Sequence, residues 1–177
     1  MKTRTTLLFS LAAAATLAMP VVARAQVSNP VKVTVFGGLA LPTGDTGDAV
    51  NSGYTVGGAL DFRVPLSPVG FRGEVIYSGF DYKGGIDESL KDFGVNANVV
   101  FRLPNPGSPV SPYLTAGPSF SHMSTFGEST NKWGFNAGAG IDFALGGLGT
   151  RLDARYRRIS VEGGSISYIP ITFGITF

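Results

Sequence analysis

The most regular feature of the chain is an alternation of apolar and polar residues that recurs eight times between Val31 and Phe177. Each copy is about 11 residues long, and a stretch rich in Gly, Pro, Asp, Asn or Ser separates it from the next. The clearest copies run from Tyr54 to Val64 and from Trp133 to Leu145. Because a period of two places neighbouring side chains on opposite faces of a strand, the pattern predicts eight β-strands.

Three of the eight segments depart from strict alternation. Phe36, Ile76 and Phe80 are large apolar residues at positions of polar parity, and Arg158 with Ile159 interrupts the seventh segment, where we predict a bulge. The predicted strands are Val31 to Leu41, Tyr54 to Val64, Gly70 to Phe80, Phe93 to Leu103, Leu114 to Ser121, Trp133 to Leu145, Thr150 to Ser160 and Ile166 to Phe177.

The connections between these segments also alternate in character. Transmembrane β-barrels have long loops at one end and short turns at the other, and the order of the connections fits that layout. The longer, more polar connections are Pro42 to Gly53, Asp81 to Asp92 and Met123 to Lys132, and the others are Pro65 to Val69, Pro104 to Ser111, Gly146 to Gly149 and Glu162 to Ser165.

Composition indicates which face of the strands meets lipid. The polar-parity positions are mostly Gly, Ala, Thr, Ser and Asn, and only 15% of all residues are charged, which suits a narrow lumen better than a water-facing outer wall. The 25 glycines and 11 prolines disfavour a helical protein, and the absence of cysteine excludes disulfide and thiol chemistry. We therefore predict an all-β protein, a transmembrane antiparallel up-and-down β-barrel of eight strands.

The first 25 residues have the three zones of a secretory signal peptide. Lys2 and Arg4 form the basic start, Leu7 to Met19 is apolar, and a small-residue cleavage site ends at Ala25. We expect residues 1–25 to be removed and residues 26–177 to form one barrel domain. Cleavage leaves 11 basic residues against 12 acidic ones, a net charge of −1, so the basic pI offers no argument for a nucleic-acid partner.

The last predicted strand ends in a regular series of large apolar residues, which are Ile169, Ile171, Phe173, Ile175 and Phe177. With the signal peptide and the eight segments, this strand resembles those of the small OmpA- and OmpX-type barrels of porin-family outer-membrane proteins, over residues 26–177. The resemblance implies residence in the outer membrane of a Gram-negative cell. It also implies that these five residues are the signal read by the barrel assembly machinery, and that lipid and lipopolysaccharide surround the barrel.

Many charged residues fall at positions that point into the predicted lumen. Buried charges are costly unless they are paired, so we predict a hydrogen-bonded ion network that plugs the barrel, while a narrow ion or solute path remains the alternative. The members of the predicted interior ion network are Lys32, Asp61, Arg63, Arg72, Glu74, Arg102, Asp142, Arg151, Asp153, Arg155 and Arg157.

One constellation has the residue types of a catalytic site. On a strand, His122 and Ser124 share a face, and we predict that this face meets lipid, with Glu128 nearby in a loop. The pair resembles the His-x-Ser pair of outer-membrane lipid A deacylases, although Thr125 and Phe126 do not continue that motif. Because a lone His at a strand end is usually an interfacial residue, we expect no enzymatic activity.

The remaining acidic residues gather in two predicted loops: Asp45, Asp48, Asp81, Asp87, Glu88 and Asp92. Their spacing matches no calcium-binding loop, so we predict a solvated surface with no metal site and no cofactor. The function that fits this sequence is a monomeric outer-membrane barrel with a structural, adhesive or surface-interaction role. A narrow channel and a lipid A-modifying enzyme are the alternatives.

Overall fold

Eight antiparallel strands close into one barrel in the computed structural model, which describes residues 31–84, 88–105, 107–125, 128–145 and 148–177. Each strand pairs with the next along the chain, and the last pairs with the first. The predicted all-β up-and-down barrel is therefore confirmed, while the predicted signal peptide lies outside the described residues. The strands are β1 (Val31–Pro42), β2 (Gly53–Arg63), β3 (Val69–Asp81), β4 (Ser89–Arg102), β5 (Val110–Thr125), β6 (Glu128–Leu145), β7 (Leu148–Val161) and β8 (Gly164–Thr176).

The barrel carries its large apolar side chains on the outside. Along β4, burial alternates at every residue from Leu90 to Val100, and the outward Val95 is 45% exposed. The same alternation leaves Phe71, Leu152 and Phe173 exposed on the other strands. Because polar groups fill the inside, this is the arrangement of a barrel that meets hydrocarbon, and the predicted orientation of the faces is confirmed.

The two ends of the barrel differ in what covers them. The terminal end holds both ends of the described chain and the connections β2–β3, β4–β5 and β6–β7, and the loop end holds the other four connections. At the loop end, a short helix α1 (Asp45–Ala49) lies between β1 and β2. Thr46 Oγ1 accepts a 3.0 Å hydrogen bond from the Ser167 amide, and Val50 is buried. No helix among the described residues has the length and apolar character needed to cross a membrane.

The hairpin of β5 and β6 extends further than predicted. We predicted a loop from Met123 to Lys132, but β5 continues to Thr125 and Glu128 is the first residue of β6, so this loop and the loop position of Glu128 were wrong. Beyond the apolar belt both strand faces meet water, so hydrophobic alternation disappears although the strands continue. Cross-strand hydrogen bonds between polar side chains accompany the pairing here.

The predicted bulge in β7 was also wrong. The pairing of β7 with β8 keeps one register along its whole length, with Arg158 exposed and Ile159 fully buried. The apolar–polar alternation of the sequence stops at Ile159 because this inward side chain lies in the apolar part of the lumen, near the loop end. Phe80 has the same explanation, whereas the inward apolar residues Phe36 and Ile76 pack with Ala59 in a separate small cluster inside the barrel.

The orientation of the faces predicts how the outer wall tolerates charge. We expect Val95→Arg, halfway along β4, to lower the free energy of unfolding by about 2 to 4 kcal/mol, because it places a guanidinium in hydrocarbon. Ser129→Arg, on the exposed end of β6, is the matched control and should cost at most about 1 kcal/mol. Urea titration of the protein in lipid vesicles measures both values. Equal costs for the two variants would contradict the proposed membrane-facing wall.

Candidate functional site

A carboxylate near the terminal end binds three arginines inside the barrel. Asp61 accepts hydrogen bonds from Arg72 Nε at 3.0 Å, Arg102 Nη2 at 3.2 Å and Arg151 Nη1 at 2.8 Å. The residues come from four strands, and Asp61 lies directly opposite Arg72 in the β2–β3 register. Since Asp61 is fully buried, these cations supply the stabilisation that water would otherwise provide.

From Arg72 the network continues towards the loop end, through residues of β5 and β7. Arg72 lies 3.5 Å from Asp153, which also pairs with Arg155 and accepts a hydrogen bond from the Tyr113 hydroxyl. Arg155 in turn lies 2.8 Å from Glu74. The guanidinium of Arg72 stacks over the Tyr113 ring at 4.8 Å. Each buried charge in this layer therefore contacts an opposite charge.

Beyond the contacts of Asp61 and those of Asp153, a third group of contacts around Asn96 and Arg157 links the network to the loop end. Asn96 donates to Glu74 at 2.7 Å and accepts from Arg157 at 2.7 Å, and Arg157 lies 3.3 Å from Asp92. The Tyr168 hydroxyl donates to Asp92 at 2.7 Å. We predicted Asp92 in an exposed acidic loop, which was wrong, because it is 1% exposed and shares the inward parity of Asn96 on β4.

Glycines on the inner wall make room for the large side chains of this network. A Cβ on Gly138 would lie 2.6 Å from the Arg155 side chain, and one on Gly94 would lie 2.5 Å from Arg157 Nη2. A Cβ on Gly140 would overlap the Tyr113 hydroxyl. The lumen therefore holds three bulky side chains because the facing positions carry none.

An apolar cluster closes the lumen at the loop end. Phe80 and Tyr168 form its centre, with ring centroids 5.0 Å apart in an edge-to-face arrangement. Tyr168 belongs to both regions, because its ring packs in the cluster and its hydroxyl binds Asp92. We did not predict this cluster, although Phe80 at a position of polar parity was a signal for it. The buried members are Ala40, Val50, Phe80, Leu90, Met123, Ile159 and Tyr168.

All eleven residues of the predicted interior ion network lie on the inner wall, and ten of them form ion pairs. Arg63 is 37% exposed and lies 3.5 Å from Asp142, which also binds Arg151 Nε at 2.8 Å. Lys32 lines the same end of the lumen, and within the described part of the chain it has no ion pair. The prediction did not include Asp92 or the uncharged partners Tyr113, Asn96 and Tyr168, for which position on the inner face was the only signal.

The candidate catalytic pair lies on the outer wall near the loop end. His122 is exposed, and its Nδ1 lies 2.8 Å from Asn131 Oδ1. Ser124 shares a hydrogen bond of 2.9 Å with Ser129 Oγ. Glu128 neighbours Ser129 along β6, so its side chain faces the opposite side of the hairpin. The wall therefore presents a His–Asn pair and a Ser–Ser pair, and among the described residues neither pair is hydrogen-bonded to the carboxylate that a catalytic triad requires.

The acidic residues at the loop end are mostly exposed. Asp45, Asp48, Asp81 and Glu88 lie on the surface, and Asp87 is outside the described residues. Within the described ranges, no group of three or more metal-ligating side chains comes together. At the same end, Lys132 donates a 3.0 Å hydrogen bond to the exposed Glu162, and this bond lowers the pKa of that carboxyl.

An outward apolar wall and a charged, filled interior define an integral membrane β-barrel. The family model described as outer membrane protein beta-barrel domain matches residues 9–177. The chain belongs to this family, and its location is therefore the outer membrane. No curated protein sequence matches the chain.

Solved structures with the same fold include three outer-membrane proteins. Neisserial surface protein A is 18% identical, with a TM-score of 0.66, over 83% of this chain and 96% of that one. The outer membrane enzyme PagL is 19% identical, with a TM-score of 0.56, over 81% and 98%. OprG of Pseudomonas aeruginosa is 16% identical, with a TM-score of 0.53, over 82% and 95%. These likenesses show the fold of the barrel.

The contacts of Asp61 predict that replacing this carboxylate by the amide of asparagine strongly destabilises the barrel. We expect Asp61→Asn to lower the free energy of unfolding by about 3 to 5 kcal/mol, because it removes the shared anion of two buried guanidiniums, those of Arg72 and Arg151, and of the partly buried Arg102. Asp81→Asn, on the exposed end of β3, is the matched control and should change stability by less than about 0.5 kcal/mol. Urea titration followed by electrophoresis of unboiled samples measures both. Similar stability of the two variants would mean that the contacts of Asp61 do not stabilise the barrel.

Proposed function

We propose that this protein is a closed outer-membrane surface barrel, which acts through its loop end and outer wall rather than as a pore. The observation that supports the proposal most directly is the continuous filling of the lumen. Ion pairs and hydrogen bonds run from Arg63 and Asp142 through Asp61 and Glu74 to Asp92. The apolar cluster then occupies the space between this network and the loop end.

The energetics of the network favour a closed lumen. An eight-stranded barrel is only wide enough for its own side chains to fill it. A path for ions would require the separation of buried pairs such as Arg155 with Glu74, and breaking one buried pair costs about 3 to 5 kcal/mol. Because successive pairs share members, a path would require several of these separations at once.

The loop end is the surface we propose for interactions outside the cell. Helix α1 exposes Asp45 and Asp48 there, and the β5–β6 hairpin extends past the end of β7. This role agrees with the description of the similar Neisserial protein as a surface protein, although that likeness is one of fold. Adhesion is one form that such a surface role takes.

The path to the membrane is part of the proposal. Residues 1–25 direct export and are removed, and the barrel assembly machinery reads the alternating apolar residues of β8 up to Phe177. The folded barrel is a monomer, with lipid and lipopolysaccharide against its outer wall. Since the strand number is even, both ends of the barrel domain lie on the periplasmic side and the loop end faces outward.

Electrical recording tests whether the lumen is closed. We expect the purified barrel in planar lipid bilayers to give no sustained single-channel openings, because the ion network and the apolar cluster occupy the lumen along the described strands. Sustained openings of the wild type would overturn the proposal in favour of a narrow channel.

A variant with a weakened filling is the control for that recording. Arg155→Ala with Arg157→Ala removes two of the large side chains that occupy the lumen. If this variant still folds, as electrophoresis of unboiled samples reports, we expect openings from it that the wild type lacks. Folded and equally silent protein would show that these arginines do not close the lumen.

A lipid-modifying enzyme is the second candidate, because His122 and Ser124 share the outer wall and one solved structure of this fold is an enzyme. Two observations argue against it. Ser124 binds Ser129, and the partner of His122 is the amide of Asn131 rather than a carboxylate. Replacing the triad carboxylate by an amide slows serine proteases about 10⁴-fold.

Incubation with lipopolysaccharide tests the enzyme candidate directly. We expect no release of fatty acid from lipopolysaccharide by the folded barrel, since Ser124 is hydrogen-bonded to Ser129 rather than to a base among the described residues. Ser124→Ala is the matched control, and it should give the same background as the wild type. Fatty acid released by the wild type and absent with Ser124→Ala would establish the enzyme instead.

A further inference from the structure

The charges that point into the lumen are balanced at one end and unbalanced at the other. Beyond the contacts of Asp61, towards the loop end, three arginines are matched in number by three carboxylates, although Arg72 also binds Asp61 and Asp153 also binds Arg155. The three pairs are Arg72 with Asp153 at 3.5 Å, Arg155 with Glu74 at 2.8 Å and Arg157 with Asp92 at 3.3 Å. Among the described residues this part of the network therefore carries no net charge.

The surplus of positive charge lies entirely at the terminal end. The remaining inward cations in the described chain are Lys32, Arg63, Arg102 and Arg151, and only Asp61 and Asp142 oppose them. Arg63 and Arg102 are close enough to Lys32 to repel its ammonium group. Two positive charges are thus left without a protein counter-charge in a partly desolvated site.

Two of these cations, Lys32 and Arg63, line a cavity of about 190 Å³, which we call the terminal vestibule. Each water occupies about 30 Å³ of liquid, so the vestibule has room for a tetrahedral oxyanion with part of its hydration shell. Its polar lining residues are Lys32, Arg63, Ser111, Asp142, Thr150 and Thr176. It lies where β5 and β7 begin and β6 and β8 end, at the mouth of the terminal end.

Several hydrogen-bond donors of the terminal vestibule remain available. The Nε atom of the lining residue Arg63 has no hydrogen-bond partner within the described chain. Asp142 is the acidic group in the lining, but Arg151 Nε binds it at 2.8 Å, and its contact with Arg63 is longer at 3.5 Å. Lys32 adds an ammonium group with three donors that no described carboxylate pairs.

We infer that the terminal vestibule is a binding site for a phosphate-type oxyanion, held by Lys32 and Arg63. A phosphate-type oxyanion offsets one positive charge as a lipid phosphodiester or up to two as free phosphate, and it accepts hydrogen bonds from ammonium and guanidinium groups at once. The anion is either free phosphate or the phosphate of a lipid headgroup at the inner leaflet. The inference does not depend on the closed lumen, because the vestibule lies at the mouth of the terminal end and can take an anion whether or not the rest of the lumen conducts.

Titration with inorganic phosphate tests this site. The folded barrel is studied in a maltoside detergent, which contains no phosphate, at constant sodium chloride, and binding is measured by isothermal calorimetry. We expect saturable binding that Lys32→Gln and Arg63→Gln each weaken about tenfold, the loss of one charge-assisted hydrogen bond. Lys132→Gln removes an ammonium group at the opposite end of the barrel and should leave binding unchanged.

A variant that removes a negative charge from the terminal vestibule should change phosphate binding in the opposite direction. Asp142→Asn removes the acidic group of the vestibule, so we expect phosphate to bind more tightly than to the wild type. Electrophoresis of unboiled samples shows that each variant is folded before it is titrated. Weaker binding by folded Asp142→Asn would contradict the electrostatic basis of the site.

A soluble short-chain phosphatidylglycerol in the same titration identifies the source of the anion. Tighter binding than inorganic phosphate assigns the site to a lipid headgroup, and weaker binding assigns it to free phosphate; both results support the site. The inference is overturned if the wild type binds neither ligand saturably, or if Lys32→Gln and Lys132→Gln bind phosphate equally well.

Discussion

Everything inside this barrel follows from the cost of removing charged groups from water. Closure of eight strands into a ring satisfies the backbone, but it also encloses arginines and carboxylates that need partners. Asp61 meets this requirement by binding three guanidiniums, each from a different strand. The contacts with Arg102 on β4 and Arg151 on β7 connect strands that are not neighbours of β2 in the sheet, so they fix how the wall closes into a barrel as well as neutralising the charge.

The interior changes in character along the axis. Shared ion pairs dominate near the terminal end, amides and hydroxyls such as Asn96 join them in the middle, and an apolar cluster around Phe80 completes the filling. Tyr168 joins the last two regions, because its ring is apolar and its hydroxyl reaches Asp92. The loop end is consequently sealed by packing, whereas the terminal end keeps an open, charged mouth.

Periodicity was sufficient for the architecture and less so for the details. Strand number, face and orientation followed from a period of two, because one face had to meet lipid. The periodicity was misleading where the strand faces no longer separate lipid from a polar lumen. Strands β5 and β6 continue past the apolar belt, and Ile159 points into a part of the lumen that is apolar, next to the exposed Arg158. Asp92 was misplaced because a carboxylate next to a polar loop has the same local sequence whether it faces water or a buried arginine. No local pattern identifies Arg157 as its partner, since 65 residues separate them.

The small residues that face the arginines restrict how this chain can diverge. A side chain at Gly94, Gly138 or Gly140 would occupy space already held by Arg157, Arg155 or Tyr113. At Gly94 a shorter residue in place of Arg157 makes room for the added carbon, whereas at Gly138 the backbone of β7 must also move, because the new Cβ would lie 2.2 Å from the Ala154 carbonyl oxygen. The wall that touches lipid accepts many apolar residues singly, whereas a larger residue on the inner wall requires a change in what it faces. In related barrels, inherited covariation should therefore be concentrated on the inner wall.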